Sequence, residues 1–151
     1  MLKLIYSMAE LDTEQLLAVY DEHRWNEIEF IDYLREDFFR QRDAFYAVWI
    51  VDGLYEAAVR LEPYKDGLLL HSLETAPNSR RKGYGISLVS DLLQFLRNSQ
   101  FNFVYAHVHK GNTASLNLHY KCGFQILSDS ARYIDGTVTQ NSYTLSIEIK
   151  K

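Results

Sequence analysis

Residues 68–89, LLLHSLETAPNSRRKGYGISLV, decide how this chain folds. Leu68–Thr75 is an apolar run that reads as a strand and stops at Pro77. A short basic, glycine-bearing loop, Arg80–Gly85, follows. It opens into Ile86, Leu88, Val89, Leu92, Leu93, Phe95 and Leu96, a broad apolar face of helical period. The next β-type run is Phe101–His107. A strand, a helix and a second strand in this order predict one parallel crossover.

The loop carries chemistry of its own. The first turn of a helix has unpaired backbone N–H groups at the positive end of its dipole. Gly83 and Gly85 take side chains away from that turn, so an anion can rest against the backbone. Arg80, Arg81 and Lys82 add positive charge beside it. Together these features describe a cradle for phosphate or pyrophosphate. The segment is not a P-loop, because G-x-x-x-x-G-K-[ST] is absent. It is not a dinucleotide fingerprint either, since Gly83-Tyr84-Gly85 has no third glycine behind it.

On the N-terminal side, Lys3–Ser7 reads as a strand, and Asp12 with Gln15 forms a capping-box pattern opening a helix. A second helix is expected over about 27–42, with Phe30, Tyr33, Leu34, Asp37 and Phe38 on one stripe. Phe45–Val51, the Asp52-Gly53 hairpin signal, Leu54–Leu61, a turn within Pro63–Gly67 and Leu68–Thr75 predict a three-stranded antiparallel meander. On the C-terminal side, Asn112 caps a helix reaching Lys121 and Gly123 stops it. Strands are expected from Phe124–Ile126 and over Ser142–Ile149, with Asp135-Gly136 in the loop between them. The order β–α–α–β–β–β–α–β–α–β–β predicts a mixed α/β (α+β) domain, its sheet largely antiparallel with one parallel crossover. The apolar last strand leaves room for edge pairing into a homodimer.

Composition sets the outer bounds. The 151 residues suit a single domain over 1–151, and no apolar run reaches the roughly 18 residues of a membrane span. A soluble, cytoplasmic protein with no membrane partner is expected. Cys122 is the one cysteine, which excludes an internal disulfide and a thiolate zinc cluster. The histidines at 23, 71, 107, 109 and 119 form no H-E-x-x-H, so no metal is expected. Net charge is −4, against nucleic acid as a partner. Residues 1–45 hold 5 Lys/Arg against 11 Asp/Glu and the rest hold 11 against 9, so the acidity sits in the first third. An acidic half facing a basic loop would attract a cationic, amine-bearing substrate.

Arg80-Arg81-Lys82-Gly83-Tyr84-Gly85 resembles the R/Q-x-x-G-x-G/A signature of the GNAT superfamily of acyl-CoA-dependent N-acetyltransferases, with Pro77 as its lead-in. Asn112 through Phe124, NTASLNLHYKCGF, resembles that family's N-x-x-[AS]-x-x-L-[YH]-x-K-x-G-F. The likeness covers about residues 67–126. It implies acetyl-CoA as cosubstrate, held at Thr75 and by Arg80, Arg81, Lys82, Gly83, Tyr84 and Gly85, with Asn112 and Ser115 along the pantetheine arm. It also implies a splay between the strands at 68–75 and 101–107. The implied reaction is direct attack on the thioester by the primary amine of a small molecule or peptide. A non-catalytic acyl-CoA-binding regulatory module is the alternative.

The family normally protonates the departing thiolate with a tyrosine on the second-motif helix. Here the matching position is His119, with Tyr120 one place later. Neighbouring helical residues point about 100° apart, so only one of the two can face the cofactor. Asn112, Ser115 and His119 fall on one stripe, which favours His119 in register and leaves Tyr120 as the other candidate acid. Candidate bases are His71, Glu74 and Glu56, with Glu74 nearest the loop; a spacing of three places His71 and Glu74 on opposite strand faces. The family also implies that residues 22–27 and 132–140 shape the acceptor pocket. Trp25, Tyr33, Phe38 and Phe39 would give it aromatic walls.

Overall fold

A computed structural model describes residues 1–20 and 26–151. Among these residues four α-helices, α1 (Thr13–Val19), α2 (Glu27–Tyr33), α3 (Tyr84–Leu96) and α4 (Thr113–Lys121), accompany nine strands. The strands are β1 (Leu2–Ile5), β2 (Phe45–Val51), β3 (Leu54–Tyr64), β4 (Gly67–Thr75), β5 (Phe103–His109), β6 (Gln125–Ser128), β7 (Ala131–Arg132), β8 (Val138–Thr139) and β9 (Ser142–Glu148). Seven of them form one sheet in the order β1-β2-β3-β4-β5-β9-β6. Only β4 and β5 run parallel within it, joined through α3, as the sequence predicts. β7 and β8 make a small ribbon inside the loop around Asp135-Gly136. The last strand lies between β5 and β6, so it is not an edge; expected edge pairing through it is corrected by its having partners on both sides.

Both faces of the sheet are covered, which explains the continuous apolar run of β2. Phe45 and Ala47 face the α3 side with Val59, Leu88, Leu92 and Val104. Tyr46 and Val48 face the other side with Leu16, Phe30, Leu34 and Phe38. The Asp52-Gly53 turn has positive φ at both residues (51° and 81°), the geometry that matches strand twist in a two-residue hairpin.

Several elements depart from the expected bounds. β1 ends at Ile5 because residues 8–10 already turn as a 3-10 helix. The helix expected to 42 is regular only to Tyr33, and Leu34–Phe38 is a π turn in which the Phe39 N–H donates to the Leu34 carbonyl at 2.9 Å. Phe30, Leu34 and Phe38 are spaced by four; at about 3.6 residues per turn such a stripe drifts about 40° each step. The wider turn brings Phe38 back to the core face. At α1, the Asp12 side chain accepts from the Gln15 N–H at 3.1 Å, as a cap should. The Gln15 amide then reaches the hairpin, donating to the Gly53 carbonyl and accepting from the Tyr55 N–H, while the Asp12 N–H is taken by the Tyr55 hydroxyl. β5 starts two residues later than expected because the Phe101 N–H bonds the Ser99 hydroxyl.

Two features of β4 shape the centre of the molecule. Gly67 allows β5 to come close, since a β-carbon there would lie 2.0 Å from the Phe103 carbonyl oxygen. Parallel pairing then runs only from Gly67↔Phe103 to Leu70↔Ala106, after which the strands part. Past that point β4 bulges: Ala58 pairs Glu74 and Arg60 pairs His71, so Ser72 and Leu73 oppose the single residue Val59. Ser72 has φ 55°, and its carbonyl accepts from the Tyr20 hydroxyl at 2.6 Å. The bulge bends β4 and opens the splay.

Candidate active site

The opening between β4 and β5 holds a cavity of about 150 Å³ lined from both strands and from α4, including His71, His107, Asn112, Ser115 and His119. The expected stripe of α4 therefore reaches the splay intact. Asn112 caps the helix, its side-chain oxygen accepting from the Ser115 N–H at 3.1 Å. His119 is 2 % exposed and its ring packs edge-on against Phe124. Its Nδ1 lies 2.7 Å from the Ser115 carbonyl, which can only accept, so Nδ1 carries the proton and Nε2 the lone pair. Nε2 is buried without a partner. Burial lowers the His119 pKa, opposed by the Ser115 carbonyl, so the ring rests neutral. Tyr120 is 42 % exposed on the outer side of α4 and does not line the cavity.

The bulge corrects the expectation about the bases. Ala58 and Arg60 share one face of β3, so their partners Glu74 and His71 share one face of β4 despite a spacing of three. The extra residue shifts the alternation by one. His71 Nε2 lies 3.1 Å from Glu62 Oε1, with the ring turned off good hydrogen-bond geometry. The other Glu62 oxygen accepts from Gln41 at 2.7 Å. Burial alone would raise the Glu62 carboxyl, but the contacts from His71 and Gln41 outweigh it and hold its pKa below the ordinary value. Glu74 lies 3.5 Å from Arg80 and so touches the basic loop. Glu56 accepts a hydrogen bond from Ser79, which ties it to the turn before that loop. His107 stands edge-on between Tyr64 and Tyr133, and burial, followed by the charges of His71 and Lys65, lowers its pKa. The Tyr64 hydroxyl donates to the Arg132 carbonyl at 2.6 Å, pinning the 132–140 loop beside the splay.

Where β4 ends at Thr75, a second hollow of about 450 Å³ lies between the start of α3 and α4, at the place predicted for the cradle. Thr75, Arg81, Gly83, Tyr84 and Gly85 line it; Arg80 and Lys82 are exposed beside it. Gly83 is the α3 N-cap with φ 81°, and the helix's first bond runs from the Ser87 N–H to its carbonyl. The amides of Tyr84, Gly85 and Ile86 thus lie ahead of the ladder at the positive end of the helix. A β-carbon on Gly85 would sit 2.9 Å from the Leu118 side chain, closing the gap between the two helices.

The acceptor side differs from expectation. Residues 22–25, including Trp25, lie outside the described residues. Phe38 is buried, and the rings of Phe30, Tyr33 and Phe38 already surround a cation of the chain's own, Arg60, at 5.9, 5.3 and 5.8 Å. Phe39 packs against Phe38 and Tyr46. Sequence reasoning missed Arg60 and Glu62. Their alternation with apolar neighbours on β3 was the available signal: both share the face of Ala58.

The chain belongs to the acetyltransferase (GNAT) family, whose sequence profile matches residues 5–124. Over 60 residues it is 33% identical to an L-methionine sulfoximine/L-methionine sulfone acetyltransferase of Pseudomonas aeruginosa. That match spans 40% of this chain and 35% of the relative, so the chain spans about a third of the length of the curated relatives it matches. The fold is that of the ribosomal-protein-S18-alanine N-acetyltransferase from Escherichia coli, with a TM-score of 0.73 and 17% identity over 100% of this chain and 96% of the other. It is also that of the PaiA N-acetyltransferase from Thermoplasma acidophilum in complex with coenzyme A, with a TM-score of 0.67 and 16% identity over 98% and 99%. Among the described residues no helix is long and apolar enough to cross a membrane.

Proposed function

We propose that this chain transfers the acetyl group of acetyl-CoA to a primary amine by direct attack on the thioester. The observation that carries this reading is the continuity of β4. One strand parts from β5 after Leu70 and delivers the chain to the α3 N-terminus, so an acyl-binding gap and an anion cradle share one element. The space kept open at Gly85 and the unpartnered Nε2 of His119 both fit a polar cosubstrate. Acetyl-CoA would supply the activated acyl group.

In this reading Arg80, Arg81 and Lys82, with Thr75 and the backbone of Gly83, Tyr84 and Gly85, hold the pyrophosphate. Asn112 and Ser115 border the pantetheine arm. The attacking amine must be neutral, and His71, whose ring lies 3.1 Å from Glu62, takes the proton from the ammonium. Glu74 shares that face and is the second candidate base, although its contact with Arg80 ties it to the loop. His119 turns one ring atom to the splay, Nε2, whose lone pair takes up a proton from water and hands it to the leaving thiolate. Because burial disfavours the imidazolium, a proton there is given up readily. Tyr120, exposed, is left out of this step.

A relative named for L-methionine sulfoximine and L-methionine sulfone favours a small amino-acid-like acceptor, and a structural neighbour named for an alanine of ribosomal protein S18 favours a peptide. The test measures free thiol release from acetyl-CoA with panels of both. Turnover that His71→Ala and His119→Ala each cut at least tenfold, with coenzyme A still bound, supports the roles. Tight acetyl-CoA binding with no amine acetylated supports the non-catalytic module instead.

A further inference from the structure

Arg60 is only 7 % exposed, on the face of β3 turned toward α1 and α2. One Nη donates to the Ser72 hydroxyl at 2.7 Å, while Nε is buried without a partner. No ion pair to Arg60 is formed among the described residues, and the nearby Glu62 is committed to His71 and Gln41. A buried guanidinium with an unmet N–H is costly unless an anion meets it. Its ring neighbours stabilise charge from their faces but cannot accept the in-plane N–H bonds.

Arg60 also lines a cavity of about 330 Å³ together with Asn26, Glu29, Phe30 and Tyr33. Arg60 lines it as a cation with one unmet N–H, Phe30 and Tyr33 are aromatic neighbours, and Glu29 is an exposed carboxylate beside them. Planar guanidinium donors match a carboxylate best. The position matters as much as the chemistry. Arg60 is the cross-strand partner of His71, and its own partner Ser72 lines the splay. An anion on Arg60 is therefore anchored beside the point where the amine must be deprotonated.

We propose that the Arg60 pocket is a carboxylate subsite, so that the acceptor is an amine carrying a carboxylate on a neighbouring carbon, of the α-amino-acid class. The proposal rests on the acetyltransferase reading above. It replaces a purely cationic acceptor with a zwitterionic one.

The experiment compares kcat/KM for L-amino acids with that for their carboxamides, using acetyl-CoA and the full chain. Losing a charge-assisted contact should favour the acids on the order of 10- to 100-fold. Arg60→Met should erase the preference by slowing the acids and sparing the amides, and Arg60→Lys should restore part of it. Coenzyme A binding by calorimetry reports whether each variant is folded, and the acid–amide ratio of the unaltered chain stands without any variant. Amides turned over as well as acids overturn the subsite and leave acetyl transfer standing. If coenzyme A binds but no amine is acetylated, the acetyltransferase reading fails; calorimetry with the free amino acids then decides the subsite, with absent or Arg60-independent binding overturning it.

Discussion

Gly83 and Gly53 have the same left-handed backbone, φ 81°, and a β-carbon on either would meet nothing within 4 Å. Replacing each by alanine should therefore cost the same kind of energy, the left-handed penalty of about 1–2 kcal/mol. For a chain of this length each kcal/mol lowers the melting temperature by about 3 °C, so both variants should melt about 3–6 °C lower. They should part company in ligand binding. Gly53 sits in the β2–β3 hairpin, whereas Gly83 caps α3, and the open space around it is where the pyrophosphate would approach. Gly83→Ala should weaken coenzyme A binding about 10- to 100-fold, the loss of one or two charge-assisted contacts, and Gly53→Ala should leave it unchanged. Thermal unfolding and calorimetric titration of the two proteins side by side provide the test. Equal affinity for coenzyme A in both variants would refute the cradle, because the stability cost alone would then account for Gly83.

Three further outcomes follow from named contacts. Burial lowers the pKa of His107 and His119, so the unfolded chain protonates first; their contribution to stability is present above about pH 6.5 and is lost as pH falls through the folded values. Urea midpoints between about pH 5 and pH 7.5 should rise, and His119→Gln should flatten that rise. Tyr20→Phe removes the hydroxyl that bonds the Ser72 carbonyl and accepts from Tyr46, and should cost about 1–3 kcal/mol in urea unfolding. Cys122 is half-buried with its thiol pKa raised by burial, so alkylation at neutral pH should be slow in the folded chain and fast in urea.

Much of the fold was readable because its signals are local. Apolar period, the Asp52-Gly53 turn, the Asn112 cap and Gly123 located the hairpin, α3 and α4, and the crossover followed from their order. The α4 stripe of Asn112, Ser115 and His119 was legible for the same reason: helical spacing alone puts the three side by side. What escaped depends on pairing between distant segments. Ser72 is an ordinary residue in sequence, and only the register against β3 shows that it is extra. That one insertion moved Glu74 onto the face of His71. Arg60 reads as surface charge until Phe30, Tyr33 and Phe38 close around it from another part of the chain. The π turn is likewise invisible locally, since it answers to the core that Leu34 and Phe38 must reach.

The contact between Gly67 and Phe103 works as a fulcrum. β4 and β5 are clamped at that end, where only a glycine fits, and free at the other, beyond Leu70 and Ala106. Pairing holds through Leu70 and Ala106, so the gap begins at His71 and His107 and lies between the strand ends at Thr75 and His109. The close approach at one end and the bulge at Ser72 near the other together fix how the two strands diverge. A bulkier residue at 67 should therefore reshape the gap between the strands before it disturbs the start of α3.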